Sequence, residues 1–110
     1  MEFSELITRL PQADLPYDGV VGYLLRSDDG LLVFLHFVEE SIVPPHAHGA
    51  QWGTVLAGSI ELTIGGVTKT YRPGESYSIA SGEVHSAIIP ADTKVQDFFE
   101  EPDRFQPKAS

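Results

Sequence analysis

From residue 20 onward the chain is a succession of short apolar runs broken by turn residues, the pattern of strands rather than helices. "VVGYLLR" ends at the turn signal "SDDG". "LLVFLHFV", residues 31–38, is apolar on both parities. Leu31, Val33, Leu35 and Phe37 share one face, and Leu32, Phe34 and Val38 share the other. A strand of that kind is covered on both sides. In "IELTI-GG-VTKTY" Ile60, Leu62 and Ile64 alternate with Glu61 and Thr63, and Gly65-Gly66 supplies the positive φ of a tight hairpin. "RPGE", residues 72–75, is a further turn with Pro73 at its second position. "SYSIA", "HSAII" and "TKVQDFF" complete a set of about eight strands, with turns every eight to twelve residues or so. The pattern predicts an all-β antiparallel sandwich or barrel.

Only the first residues break this rhythm. Phe3, Leu6, Ile7 and Leu10 recur at helical spacing, Ser4 stands where an N-cap belongs, and Pro11 ends the pattern. A short helix of about two turns is expected, followed by the irregular arm "PQADLPYDG". The expected organisation is a single domain, with residues 1–19 as helix and arm and residues 20–110 as the barrel.

Composition narrows the function. The 110 residues carry 16 acids against 7 bases, a formal charge of −9. Phosphate backbones and anionic membranes repel such a surface, so neither nucleic acid nor a membrane is an expected partner. The acids of "DFFEEPDRF" read as a solvated tail. The absence of cysteine excludes disulfides and thiolate chemistry. The N-terminus has no apolar run resembling a signal peptide, and a cytoplasmic location is expected.

The chemistry concentrates in "PPHAHGAQWGTVLAG", residues 44–58. On an extended segment His46 and His48 point to the same side and can reach one cation. Pro44 and Pro45 hold that segment extended. Gln51 enters the next strand, and His85 opens "HSAII" just past a glycine turn. Three imidazoles and an amide oxygen suit a divalent transition metal and leave positions open for water or substrate. The alternative is three ordinary histidines, two in a loop and one in a capped core. His36, inside an apolar strand, is a further ligand, a supporting partner or a hydrogen-bonded core residue.

These residues resemble the two motifs of the cupin superfamily. His46, His48 and Gly58 match the first motif, and Gln51 falls at its glutamate position. Gly74, Gly82 and His85 match the second at the family spacing. Departures occur at Glu40, Gln51, Ala80 and Ile89, and the segment between His48 and Gln51 is one residue shorter than the family pattern. The resemblance implies a jelly-roll barrel, a double-stranded β-helix, covering nearly half the chain with its motifs. It implies a divalent metal (iron, zinc, nickel, copper or manganese) on His46, His48 and His85, with Gln51 as an additional donor. An amide cancels none of the ion's charge where a glutamate cancels one unit, so the site would attract anions more strongly.

Alternation places Gly53, Val55 and Ala57 on the face of Gln51, toward the interior, with Ala87 sharing the face of His85. Gly53, Val55, Tyr77, Ala87 and His36 are the expected pocket lining. Trp52, Thr54 and Leu56 then face outward. Together with the second apolar face of residues 31–38 they predict a homodimer, unless the N-terminal helix covers them alone. Three functions remain open: an enzyme of dioxygenase or isomerase type acting on a small molecule, a non-catalytic binder or sensor of a small ligand, and a structural protein with a vestigial site.

Overall fold

The structure is a computed structural model, described over residues 1–109. In chain order its elements are α1 (Glu5–Thr8), β1 (Ala13–Asp14), β2 (Val20–Ser27), β3 (Gly30–Phe37), β4 (Ser41–His46), β5 (Gln51–Ala57), β6 (Ile60–Ile64), β7 (Val67–Tyr71), β8 (Ser76–Ile79), β9 (His85–Ile89), β10 (Thr93–Phe99) and β11 (Gln106–Pro107). Two antiparallel sheets carry the fold. One has the order β2-β3-β10-β5-β8 and the other β4-β9-β6-β7, while β1 and β11 form a separate two-stranded ribbon. Neighbours in space are mostly not neighbours in sequence, which is the jelly-roll arrangement.

Period-two alternation builds the core. Leu31, Val33, Leu35 and Phe37 of β3 are buried, and Leu32, Phe34 and His36 between them are half-buried on the other face. Val55, Val95 and Phe99 join the first set from β5 and β10, and Ile60, Leu62 and Ile89 meet them from the four-stranded sheet. The β6–β7 hairpin turns on Gly65 and Gly66, both at positive φ, with Ile64 opposite Val67.

Several elements differ from the sequence reading. The helix is one turn rather than two. Ser4 does cap it, accepting from the Leu6 N–H at 3.2 Å, but Leu6 is exposed and only Phe3 of the apolar set packs edge-on against Tyr23 and Phe34. Residues 41–46, prolines included, are a strand. β4 lies at the edge of its sheet, where a missing N–H on the open side breaks no ladder bond. The segment "DFFEEPDRF" is solvated only in part: Glu100, Glu101 and Asp103 are exposed, but Asp97, Phe99 and Phe105 are buried, and the chain beyond β10 folds back onto the barrel.

The outer face of the five-stranded sheet has a distinctive charge pattern. In register, Leu25, Leu32, Phe98, Trp52 and Ser78 form one row, and Tyr23, Phe34, Gln96, Thr54 and Ser76 the next. Neither row contains a carboxylate. Phe3 packs on Tyr23 and Phe34 of the second row, and Leu25, Phe98 and Trp52 of the first remain exposed.

A three-histidine cluster beside a buried carboxylate

Pairing of β4 with β9 sets His46 directly opposite His85, after an irregularity between Val43 and His46. His48 follows two residues later, and its carbonyl accepts from the Gly82 N–H at 2.8 Å, tying the first histidine segment to the turn before His85. The ring centroids stand 4.2 Å (His46–His85), 4.8 Å (His48–His85) and 5.2 Å (His46–His48) apart. One ligand atom from each ring lies within 4.8 Å of the others.

Each ring is oriented by its own backbone. His46 Nδ1 lies 2.9 Å from the Pro44 carbonyl, His48 Nδ1 2.7 Å from the Gly49 carbonyl, and His85 Nδ1 2.9 Å from the Glu83 carbonyl. A carbonyl only accepts, so each Nδ1 carries a proton, which in the neutral ring leaves Nε2 as the ligand atom. Burial holds His48 and His85 below the usual imidazole range. Three clustered imidazoles, each with Nδ1 engaged by a carbonyl and Nε2 left for a ligand, are the donor chemistry that suits a divalent transition metal.

Gln51 opens β5 and lines the same cavity as the three histidines. Asp97 of β10 lines it too, is 5% exposed and sits on the inward parity with Val95 and Phe99. Burial pushes the Asp97 carboxyl up to about 6, against hydrogen bonds from Tyr77 and Gln51 that favour its ionised form. The Tyr77 hydroxyl donates to Asp97 Oδ1 at 2.5 Å, and burial, reinforced by that carboxylate, raises the phenol well above its ordinary value. Gly53 lies behind this pair, where any Cβ would collide with Asp97 Oδ1 and the Tyr77 ring.

The cavity is closed partly by the segment after β10. Arg104 lies over the rings of Phe105 at 4.6 Å and Phe99 at 5.8 Å, and its Nε is buried with no hydrogen-bond partner among the described residues. Tyr17, from the N-terminal arm, joins Arg104 on the wall.

The expected pocket lining therefore divides. Tyr77 and Ala87 line the cavity. Gly53 and Val55 face inward but lie behind its wall, Val55 fully enclosed in the core. His36 does not line it: it projects from the outer face of β3, 3.7 Å from Asp92, because strand alternation turns it away from Leu35 and Phe37. Asp97, Arg104 and Tyr17 were not anticipated. A signal for Asp97 was present in "TKVQDFF", where the acid falls on the parity of Val95 and Phe99.

Comparison with known proteins agrees with this architecture. The cupin domain family model matches residues 34–96, more than half of the chain, and the chain belongs to that family. The pectin degradation protein KdgF of Dickeya dadantii is 34% identical over 74 residues, covering 64% of this chain and 67% of that one. The structure of KdgF from a Halomonas species superposes with a TM-score of 0.71 at 21% identity, covering 83% of this chain and 87% of that one. An RmlC-like cupin from Shewanella frigidimarina superposes at 0.76 with 23% identity, covering 94% and 90%.

Asp97 weakens the fold where it is ionised. Below about pH 4 it is neutral in both folded and unfolded chains. Between about pH 4 and 6 the unfolded chain loses the proton that the folded one keeps, so stability falls as pH rises, by on the order of 2–3 kcal/mol, and stays lower above that range. Asp97→Asn is expected to stabilise the metal-free protein by about that amount at pH 8 and by little at pH 4, as measured by urea unfolding in chelator. An equal effect at both pH values contradicts the account.

Proposed function

We propose that this cupin is a metal-dependent enzyme that moves a proton on a small oxygenated acid, an isomerisation in which no electrons are exchanged with an oxidant. The observation that carries the reading is the position of Asp97, a buried carboxylate on the wall of the cavity that also holds the three histidines. A carboxylate within reach of a ligand in that cavity favours proton transfer over passive binding.

His46, His48 and His85 would hold a divalent ion, with Gln51 as a fourth donor. When bound, the ion supplies a Lewis acid for a carbonyl or hydroxyl oxygen of the ligand. Asp97 accepts a proton from the carbon next to that oxygen-bearing centre and returns it at a neighbouring atom, so that atoms and charge balance. Tyr77 holds the carboxylate in place through its hydroxyl. Gln51 holds it from another side through its amide. Arg104 offers a buried, unpaired guanidinium N–H, which suits a carboxylate on the ligand. The relative from Dickeya dadantii acts in pectin degradation, and pectin is a polymer of an acidic sugar. A hexuronate or a keto or enol derivative of one is the ligand class that fits both features.

Metal analysis tests the site. The purified protein is expected to retain about one equivalent of divalent metal. His46→Ala abolishes retention, and His36→Ala leaves it intact. If Gln51 is a donor, Gln51→Glu tightens manganese binding, and indifference at residue 51 removes it from the set.

Solvent exchange tests the chemistry. With galacturonate and its keto and enol derivatives in heavy water, the metal-loaded protein is expected to introduce deuterium beside the carbonyl. Asp97→Asn slows this at least about 100-fold with metal content unchanged. Oxygen uptake without exchange points to an oxygenase, and binding without either points to a sensor.

A second proposal concerns assembly. The exposed row Leu25, Phe98 and Trp52 is free of acids in a chain of charge −9. Two copies can meet there without setting carboxylate against carboxylate, and we infer that the face joins a homodimer. Sedimentation at tens of micromolar is expected to give a dimer that Trp52→Glu dissociates; a wild-type monomer at that concentration rejects the inference.

A further inference from the structure

The segment that carries Arg104 has little regular pairing of its own. Beyond β10 its strand structure is the two-residue β11, in register with β1. Three backbone bonds assist, from Glu100 N–H to the Ala50 carbonyl at 2.9 Å, from Arg104 N–H to the Glu101 carbonyl at 3.2 Å and from Lys108 N–H to the Gln12 carbonyl at 2.8 Å. What brackets Arg104 is a side chain from the far end of β2. Arg26 Nε donates to the Pro102 carbonyl at 2.8 Å, and its Nη2 donates to the Phe105 carbonyl at 2.8 Å and to Gln106 Oε1 at 3.3 Å. The two carbonyls lie on either side of Arg104 in sequence.

A guanidinium is suited to this role. Its donors form a rigid planar fork, so two carbonyls held by one group are fixed relative to each other as well as to β2. The intervening residues then have one way to run, with the Arg104 side chain directed over Phe99 and Phe105 and its Nε buried. Without the fork, Arg104 is free to leave the cavity for water, where its charge is better solvated.

We propose that Arg26 is a positioning residue. It holds the chain on both sides of Arg104 and so keeps the Arg104 guanidinium in the cavity, where it recognises the carboxylate of the ligand. The proposal rests on the ligand reading given above and deepens it. Arg26 itself touches no ligand: its three hydrogen bonds all go to the C-terminal segment. It acts by pre-organisation, which raises affinity by removing the cost of ordering the recognising group at the moment of binding.

Two measurements on the full-length protein test this. The first needs no ligand. The chain has four arginines (Arg9, Arg26, Arg72 and Arg104), so their Nε–Hε resonances are few enough to assign. Arg104 Hε is expected to exchange slowly with water in the native protein and at least about tenfold faster in Arg26→Gln, with Arg26→Lys in between because an ammonium cannot span both carbonyls. The second uses the zinc-loaded protein with galacturonate and its neutral methyl ester as probes. Arg26→Gln is expected to lower the affinity for the acid about tenfold, with metal content and affinity for the ester unchanged, the size expected for one charge-assisted hydrogen bond. Unchanged exchange and unchanged preference overturn the proposal. Equal loss of both ligands, or loss of zinc, also overturns it by assigning Arg26 to general stability. Arg104→Gln separates the two levels: if it keeps the preference for the acid, the carboxylate reading falls whatever Arg26 does.

Discussion

A carboxylate buried inside an apolar barrel must be given donors, and much of the cavity is arranged around that requirement. Asp97 is almost fully enclosed. Tyr77 supplies a hydroxyl from β8 and Gln51 an amide from β5. Gly53 stands between these strands' contributions because any side chain there would occupy the space of the pair. The same constraint favours glutamine over the glutamate of the motif that residues 46–58 resemble. A glutamate at residue 51 would set a second carboxylate against Asp97 in low dielectric, and both could not stay ionised. An amide in place of that carboxylate removes the repulsion and favours the ionised form of Asp97.

The histidine cluster solves a different problem. Its members come from one sheet and the loop beyond it, with His46 and His85 facing each other across β4 and β9. Backbone carbonyls two residues before His46 and His85, and one residue after His48, fix the three rings. No side chain from elsewhere is needed to select the tautomer. Gln51 and Asp97 belong to the opposite sheet, so the cavity has imidazoles on one side and a buried carboxylate on the other. The distance between sheets, set by the packing of residues such as Leu35, Ile60 and Leu62, becomes a parameter of the site.

The two ends of the chain meet over the cavity. β1 pairs with β11, Tyr17 and Arg104 share a wall, and Arg26 spans from the barrel to the returning segment. Acids in that segment are structural as well. Glu101 and Glu100 accept from the Gly49 and Ala50 N–H groups, at 2.8 and 3.0 Å, and hold the loop next to His48. A barrel of rigid strands with a closing segment tied down by side chains leaves Arg104 and Tyr17 on the part of the molecule with the fewest ladder bonds.

Strand alternation, glycine turns and the spacing of His46, His48 and His85 made the all-β fold and the three-histidine set legible in one dimension, because period-two burial and motif spacing are local properties. The outward position of His36 was also written in that alternation, on the parity of Leu32 and Phe34. The helix came out shorter than its apolar spacing suggested, since one turn suffices once Phe3 packs on Tyr23 and Phe34. The role of "DFFEEPDRF" was not legible. A cluster of acids with aromatics looks solvated until the fold shows which side chains face the cavity and which cap a loop. Asp97 meets Tyr77 across 20 residues and Arg26 meets Phe105 across 79. No local pattern encodes such pairs, because they exist only after both sheets and both termini have come together. The sequence by itself determined the strands, their inward faces and the metal-ligating residue types. The tertiary structure decided which carboxylate and which guanidinium those ligands would share a cavity with.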